Sequence, residues 1–153
     1  MPEQPSGPRE MLSLFYRLQR VKHNATLSAL SAAGLSEIGQ PRILFCLRDA
    51  AQPPTQQELA QWLRVSPATM AVSLASLERA GYVERQEDDA DRRKKRIALT
   101  DKGREACGRC IGVFEQVDDM TCAGFTRQEM DQLSAWFRRM LDNLGDTGKD
   151  DCV

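Results

Sequence analysis

The segment from residue 55 to residue 100 constrains the fold most, because two helix starts follow each other closely within it. Thr55 is followed three residues later by Glu58, a pairing in which each side chain accepts a backbone N–H at the start of a helix. Ser66 is followed by Pro67, and proline fits the first position of a helix, where its missing N–H is not needed. We therefore predict two short helices joined by a tight turn.

The second of these helices has one apolar side and a clear end. Met70, Leu74 and Leu77 are spaced by four and three residues, which places them on the same side of a helix and predicts that they pack inward. Gly81 can adopt the left-handed backbone conformation in which helices commonly end. The helix is therefore expected to stop just before this glycine.

Two strand patterns follow, with a highly charged segment between them. Residues 82–85 and 95–99 alternate apolar and polar side chains, which is the period of a half-buried strand. The segment between them carries four acidic residues at 87–91, followed by five consecutive cations at 92–96 that run into the second strand, and so much charge cannot lie in a core. Helix, turn, helix and charged hairpin together form the pattern of a winged helix-turn-helix.

Long helical patterns flank this segment on both sides. A helix is predicted over residues 9–33, and another, capped by Ser36, over residues 37–49. After the hairpin, a helix is predicted over residues 100–120, and Thr126–Glu129 is a capping box that starts the last helix. That last helix carries apolar residues in a heptad-like series, namely Met130, Leu133, Phe137, Met140 and Leu144.

The apolar sides of the flanking helices need a partner, because a winged domain of about fifty residues offers too little surface to cover them. A second copy of the chain is the simplest partner, so we predict a two-fold dimer built from the first helix and the last two. Two symmetry-related recognition helices would fit the major groove of one duplex. They predict a pseudo-palindromic operator with half-sites about one helical turn apart.

Three segments carry a family resemblance. Residues 77–85 read LERAGYVER, residues 91–93 read DRR, and residues 99–103 read LTDKG. In this order and spacing they resemble the MarR family (multiple antibiotic resistance regulators) of bacterial transcription regulators. The resemblance implies a homodimer that binds double-stranded DNA and responds to small, often aromatic or anionic, ligands. We therefore expect a transcriptional regulator, most simply a repressor that a small molecule releases from its operator.

The expected fold class is mostly α with a small β wing, a winged helix-turn-helix domain between long N- and C-terminal dimerisation helices. Residues 35–100 are expected to form the DNA-binding domain, and residues 9–34 and 101–145 the helical dimerisation region. Residues 1–8 are expected to be a disordered N-terminal tail, and residues 146–153 a flexible C-terminal tail.

The outer face of the second short helix holds the predicted base contacts. It has no cation before Arg79, so recognition of guanine by arginine is doubtful, and hydroxyl groups and contacts with thymine methyl groups are expected instead. Val72 and Ala68 are the candidates for the methyl contacts. The other predicted contact residues on this helix are Ser66, Pro67, Thr69, Ser73 and Ser76. The alternative is that Ala71, Val72 and Ala75 are buried against other elements of the dimer.

The wing is expected to supply most of the affinity. The chain has 21 Lys and Arg against 22 Asp and Glu, so attraction to a polyanion must come from a local patch. Arg92 or Arg93 is expected to enter a minor groove, while Lys94 and Arg96 contact phosphates. The family resemblance implies that Asp91 orients Arg93 by a charge-assisted hydrogen bond. The alternative is a hairpin tip whose charges are only solvated.

The start of the first short helix is a further predicted DNA contact. Its backbone N–H groups, helped by Thr55, Gln56 and Gln57, can donate hydrogen bonds to a phosphate. Such contacts position a protein on the duplex and carry little sequence information.

A ligand pocket is expected in the crevice between the dimerisation helices and the winged domain, as the family resemblance implies. The candidate residues on the first two helices are Tyr16, Arg17, Arg20, Phe45 and Arg48. The alternative is that none of them binds a ligand. The aromatic residues would then lie in the core and the arginines on a solvated helix face.

The five cysteines are an odd number in a chain that starts without a signal peptide, so a disulfide framework is not expected. Cys107 and Cys110 lie on the apolar side of their helix, which favours buried small hydrophobes, and a closed zinc site would need a fourth ligand. An oxidant-sensing regulator that uses cysteines, with Cys46 or Cys152 as further candidates, stays open. A winged-helix interaction module with weak DNA binding is the other alternative.

Enzymatic motifs are missing from the sequence. It contains no nucleotide-binding loop, no Gly-x-Ser-x-Gly segment and a single histidine, so we expect no enzyme, no cofactor and no metal. No run approaches the roughly eighteen apolar residues of a membrane-spanning helix, and we expect a cytoplasmic protein.

Overall fold

The computed structural model of the 153-residue chain describes residues 7–88, 90–91 and 94–146. In chain order, the elements are α1 (Pro8–Ala32), α2 (Pro41–Asp49), α3 (Gln56–Trp62), α4 (Pro67–Arg79), β1 (Val83–Glu87), β2 (Lys95–Leu99), α5 (Asp101–Thr121) and α6 (Arg127–Asn143). The fold is therefore mostly helical with a small β wing, which confirms the predicted class. None of the helices in the described part of the chain is both long and apolar enough to cross a bilayer.

Helices α3, α4 and α6 begin at the predicted caps. At α3, the Thr55 hydroxyl accepts from the Glu58 N–H at 3.2 Å, while the Thr55 N–H donates to the Glu58 carboxylate at 2.7 Å. At α4, the Ser66 hydroxyl accepts from the Thr69 N–H at 3.1 Å. Helix α4 ends before Gly81, which has a φ of +79°. A matching capping box starts α6, so local sequence chemistry is enough to place these starts.

Helix α2 differs from the prediction, because it begins at Pro41 instead of Glu37 and Ser36 does not cap it. The proline occupies the first helical position, and its ring disfavours a helical conformation of the residue before it. Gln40 accordingly has φ −138° and ψ 81°, outside the helical region. The segment between α1 and α2 therefore folds as turns.

The wing is attached to the segment that leads into α3. Strands β1 and β2 pair antiparallel, with Val83 opposite Leu99 at the base of the hairpin. On its other edge, β2 contacts the chain before α3, where the Ile97 N–H donates to the Pro54 carbonyl at 2.8 Å. Movement of the wing is thereby coupled to the start of α3.

Only one side of α4 packs against the core. Met70, Leu74 and Leu77 are all buried, as their spacing predicts. Helix α2 packs against both α5 and β2, and its Ile43 and Leu44 are fully buried. The opposite side of α4 is consequently turned away from the core.

Helices α1 and α6 bury little of their apolar surface within one chain. No residue of α6 is buried, and α1 buries only Thr26 and Leu30. Phe137 of α6 contacts Phe15 of α1 with 5.9 Å between ring centroids. The exposed large apolar residues on these two helices are Met11, Leu12, Leu14, Tyr16, Leu18, Val21, Leu27, Trp136, Met140 and Leu141.

Candidate nucleic-acid interface

The outer face of α4 is open to solvent. Val72 lies at its centre and is 73% exposed. Of the other predicted contact residues on this helix, Ser73 is half-buried and five are exposed: Ser66, Pro67, Ala68, Thr69 and Ser76. Within one chain this face is not buried, so the alternative of a buried Val72 would require the second copy of the dimer.

Two hydroxyl groups at the start of α4 already contact each other. Ser66 Oγ and Thr69 Oγ1 lie 2.8 Å apart, and Ser66 Oγ also accepts from the Thr69 N–H. A hydroxyl group offers one donor and two acceptor sites. The pair can therefore still accept or donate a hydrogen bond at a base edge or a phosphate.

The start of α3 is less available to a phosphate than its sequence suggests. The Glu58 carboxylate accepts from both the N–H and the hydroxyl of Thr55, at 2.7 and 2.9 Å. These hydrogen bonds, the backbone one first, hold the pKa of Glu58 below its usual range, so the group is charged at neutral pH. The Glu58 carboxylate would repel a phosphate at this position. A phosphate contact at the start of α3 would then depend on the exposed Gln57 and the half-buried Gln56.

The described cations of the wing differ in their contacts. Lys94 is exposed. Lys95 Nζ donates to the Glu87 carboxylate at 2.9 Å, an exposed ion pair at the surface of the hairpin. The Arg96 side chain is bound within the protein, where its Nε donates to Asp88 Oδ2, just after the tip end of β1, at 2.5 Å. Lys94 is therefore the described wing cation best placed for a phosphate.

The tip arginines Arg92 and Arg93 lie outside the described residues. Asp91, which precedes them, is half-buried. Entry of an arginine into the minor groove and the pairing of Asp91 with Arg93 therefore stay predictions.

Arg85 on β1 is a cation that the sequence reasoning missed. Its Nε donates to Glu78 at 3.1 Å and its Nη2 to the Gln56 side chain at 3.5 Å. It lies in a polar cleft of about 460 Å³ between α3 and the wing. The cleft is also lined by Thr55, Gln57, Gln61, Lys94 and Lys95. Arg85 lies two residues after the buried Val83 and opposite the buried Ile97, so alternation along the strand predicts an inward side chain and offered no signal for its exposure.

A separate apolar cavity of about 460 Å³ lies between α1, the start of α2 and α5. Its apolar lining is formed by Leu27, Leu30, Pro41, Leu63, Val65 and Phe114. The basic residues beside it are Lys22, His23 and Arg42. Lys22 already pairs with Asp118 of α5 at 2.6 Å. Arg42 is exposed at the start of α2, so it is the side chain best placed to meet an anionic group in the cavity.

The five predicted pocket residues are not brought together around this cavity. Tyr16 is exposed beside Phe15, and Phe45 is buried edge-on against Phe114 with 5.3 Å between ring centroids. Arg48 pairs with the adjacent Asp49. The remaining two are exposed on α1, namely Arg17 and Arg20.

The cysteines between α2 and α5 are packed as small hydrophobes. Cys46, Cys107 and Cys110 are all buried. Burial raises the pKa of Cys107, and burial together with the neighbouring Cys107 raises the pKa of Cys110 to about 11. Thiols in this state are protonated at neutral pH and react slowly with oxidants. Cys152 lies outside the described residues, among which no group of three or more His, Cys, Asp or Glu could hold a metal ion.

Comparison with known proteins connects this geometry to a family. The family model described as MarR family matches residues 37–95, which run from just before α2 to the first residue of β2. The uncharacterized HTH-type transcriptional regulator YybA of Bacillus subtilis is 26% identical over 89 residues. These residues cover 58% of this chain and 59% of YybA, so the match spans less than two thirds of that relative.

Solved structures extend the similarity to the flanking helices. The crystal structure of transcriptional regulator PA3341 matches 89% of this chain and 98% of its own, with a TM-score of 0.71 and 29% identity. The transcriptional repressor CouR, bound to a 23-mer DNA duplex, matches 88% of this chain and 92% of its own, with a TM-score of 0.70 and 24% identity. The similarity to CouR is one of fold.

Proposed function

We propose that this chain is a member of the MarR family of DNA-binding transcriptional regulators and acts as a homodimeric repressor. It binds a pseudo-palindromic operator through both copies of α4 and is released by a small anionic aromatic ligand. The observation that carries this proposal is the contrast between the two sides of α4. One side is fully buried, while the other, centred on the 73% exposed Val72, is open beside the wing.

Exposed apolar residues on α1 and α6 support the dimer. Leu14, Leu18 and Val21 recur at intervals of four and three residues on α1, and all are exposed, as are Trp136 and Met140 on α6. Complete burial of one such aliphatic side chain contributes about 1.5–3 kcal/mol. A two-fold contact covers the same surface on both copies at once, so several of these contributions add up in each chain.

The expected contacts with DNA follow from the open face of α4. A helix fits the major groove of B-DNA, where thymine presents its methyl group. Val72 and Ala68 contact thymine methyl groups in each half-site, and the hydroxyl groups of Ser66 and Thr69 bind base edges or phosphates. Lys94 on the wing binds the neighbouring sugar–phosphate backbone and adds to the salt dependence of binding.

Selection from a pool of randomised duplexes tests the proposal. We expect enrichment of an inverted repeat, and nuclease footprinting should show protection of two half-sites centred about one helical turn apart. Placed between a promoter and a reporter gene, the enriched sequence should lower expression when the protein is present. A pool that stays unenriched would contradict DNA recognition. It would favour the alternative of an interaction module, which the scarcity of cations on α4 supports.

Replacing Val72 with alanine is expected to weaken binding to the selected duplex about tenfold, because the contact with a thymine methyl group is lost. The side chain is exposed, so the thermal stability of the protein should not change. The measurement is a titration by fluorescence anisotropy with duplexes that carry thymine or uracil, which lacks the methyl group, at each half-site position.

Uracil provides the matched control for this prediction. At the contacted position, uracil should weaken binding of the wild-type protein and leave the Val72→Ala variant unaffected. If uracil is tolerated by the wild-type protein at every position, Val72 does not read a methyl group.

The apolar cavity between α1, α2 and α5 supports the choice of ligand. Its volume of about 460 Å³ and its lining of Leu27, Leu30 and Phe114 suit one aromatic ring. Arg42 at its edge can pair with a carboxylate. Release of DNA requires that the ligand bind the free protein more tightly than the DNA-bound one, with a coupling of about 1–3 kcal/mol.

Replacing Arg42 with glutamine is expected to raise about tenfold the concentration of aromatic carboxylate needed to release DNA, because a charged partner of the ligand is lost. Affinity for DNA without ligand should not change. A panel of benzoate derivatives is first screened for the compound that most raises the melting temperature of the free protein. The protein–DNA complex is then titrated with that compound. Arg48→Gln is the matched control, because Arg48 lies away from the cavity and pairs with Asp49. Equal responses of the two variants would contradict this location of the ligand.

A further inference from the structure

Arg96 lies at the junction of three segments of the chain. Its Nε donates to Asp88 Oδ2 at 2.5 Å, at the start of the wing tip. Its Nη1 donates to the Pro53 carbonyl at 3.2 Å and to Glu58 Oε2 at 3.4 Å, both next to the start of α3. The side chain is 29% exposed. Two of the three guanidinium nitrogens are therefore hydrogen-bonded within the protein. A side chain that serves to bind a DNA phosphate would be expected to keep these nitrogens available.

Asp88 uses each of its carboxylate oxygens for a different contact. Oδ1 accepts from the N–H groups of Ala90 and Asp91, at 2.8 and 2.9 Å, and so shapes the turn at the wing tip. Oδ2 accepts from Arg96. Asp88 is one of the few buried polar residues of the described chain. A buried carboxylate is costly unless such partners compensate for lost water, and Arg96 is the charged partner among the three donors.

Glu58 connects the same guanidinium to the recognition unit. Its carboxylate caps α3 through Thr55 and contacts Arg96 with the same oxygen, Oε2. Hydrogen bonds from Arg96 first, and then from the backbone, hold the pKa of Asp88 below its usual range. Both carboxylates are therefore ionised at neutral pH, and Arg96 lies between two negative charges.

We propose that Arg96 and Asp88 form a clamp that fixes the wing tip relative to α3, so that both are positioning residues for DNA binding. This inference rests on the proposed function. Arg92 and Arg93 follow Asp91 directly in the sequence, and Asp88 holds the Asp91 N–H. The clamp thus sets where the chain at Asp91 lies relative to α3. It replaces the simpler interpretation of the sequence, in which Arg96 binds a phosphate.

The two roles of Arg96 predict opposite effects of changing Asp88. If Arg96 binds a phosphate, removal of the nearby negative charge in Asp88→Asn should tighten DNA binding. If the clamp positions the wing, the same substitution should weaken binding, although it makes the protein less negative. Asparagine keeps an acceptor for the tip N–H groups, so the turn itself is retained.

The test compares binding to the selected duplex for the wild-type protein, Asp88→Asn, Arg96→Gln and the double variant, at several salt concentrations. We expect each single variant to bind about tenfold more weakly and the double variant to bind no more weakly than either, since both remove one shared contact. Glu87→Gln is the matched control. It removes the same charge from the wing but breaks only the pair with Lys95, and it should bind DNA as well as the wild-type protein or better.

Salt dependence supplies the second measurement. Because Arg96 itself binds no phosphate, Arg96→Gln and Asp88→Asn should change the slope of log K against log salt by the same amount, through the wing position that both disturb. Tighter binding by Asp88→Asn, or a slope that falls by about 0.9 in Arg96→Gln and not in Asp88→Asn, the change expected for one phosphate contact made by Arg96 itself, would overturn the clamp.

Failure of the proposed function can be told apart from failure of the clamp. If the wild-type protein enriches no duplex, the proposed function fails. The clamp is then tested by amide hydrogen exchange, in which Arg96→Gln must speed exchange at Ala90 and Asp91, whereas Glu87→Gln must not. Unchanged exchange at both amides in Arg96→Gln would overturn the clamp without reference to DNA.

Discussion

An aspartate in place of Leu18 is expected to convert the dimer into monomers and to weaken operator binding by about a hundredfold or more. Leu18 lies between Leu14 and Val21 on the exposed apolar side of α1. In the dimer a carboxylate here would be buried without a partner in both copies, which costs several kcal/mol in each. Because each monomer then holds only one recognition helix, the second half-site no longer adds to affinity.

Sedimentation equilibrium and DNA titration measure the two effects of Leu18→Asp. Arg20→Asp is the matched control, because Arg20 lies on the opposite side of α1 from Leu18, two residues along the helix. It should leave the protein dimeric. A Leu18→Asp variant that stays dimeric at micromolar concentration would show that α1 does not form the contact between copies.

Replacing Gly103 with alanine is expected to lower the free energy of unfolding by about 3 kcal/mol, the upper end of the cost of overpacking. A Cβ atom built on Gly103 would clash with the Tyr82 carbonyl oxygen and lie 2.9 Å from its carbonyl carbon. Backbone cannot move aside as a flexible side chain can. Here α5 therefore has to separate from the base of the wing to accept even one methyl group.

Urea denaturation at fixed protein concentration measures this loss. Gly108→Ala on the same helix is the matched control, since a Cβ atom at Gly108 meets nothing within 4 Å. That variant should gain about 0.5–1 kcal/mol from the higher helix propensity of alanine. Equal stability of Gly103→Ala and the wild-type protein would contradict the close approach of α5 to Tyr82.

The close approach at Gly103 belongs to a set of contacts made by the segment LTDKG, residues 99–103. Thr100 caps α5 by accepting from the Gly103 N–H at 3.0 Å and donates to the Gly81 carbonyl at 2.6 Å. Lys102 Nζ donates to the Ala80 carbonyl at 2.7 Å and lies 4.6 Å from the centre of the Tyr82 ring. The segment thus attaches the start of α5 to the end of α4.

Local chemistry explains which parts of the fold were predictable. The caps at Thr55 and Ser66 and the glycine stop at Gly81 involve atoms only a few residues apart, so the sequence alone identifies them. The start of α2 was placed too early because Ser36 resembles a cap. Pro41 disfavours a helical conformation of Gln40, which is also a local effect, and it determines where α2 starts.

The predicted ligand pocket differs from the cavity because it depends on how helices pack. Periodicity places Tyr16 and Phe45 on helix faces but does not say which face of α1 meets α2. The chain turns Phe45 inward against Phe114 and leaves Tyr16 in solvent. His23, which lines the cavity, carried no signal that distinguishes it from a solvated helix residue.

Arg96 illustrates the same limit for the wing. Within the cationic run it resembles its neighbours, and only the folded chain brings it to Asp88 and to the Pro53 carbonyl, 43 residues away. Charge composition predicts that a segment is cationic but not which cation faces inward. The predicted DNA contacts of Lys94 and of the tip arginines depend on the same distinction.

Half-site spacing tests the central claim most directly, namely that two copies of α4 read one face of a duplex together. The affinity of the wild-type protein is measured for the selected inverted repeat and for the same repeat with about five base pairs inserted at its centre, which turns one half-site to the opposite face. We predict that the insertion weakens binding by about a hundredfold or more and that two chains bind each original duplex. Equal affinity for both duplexes would contradict the claim.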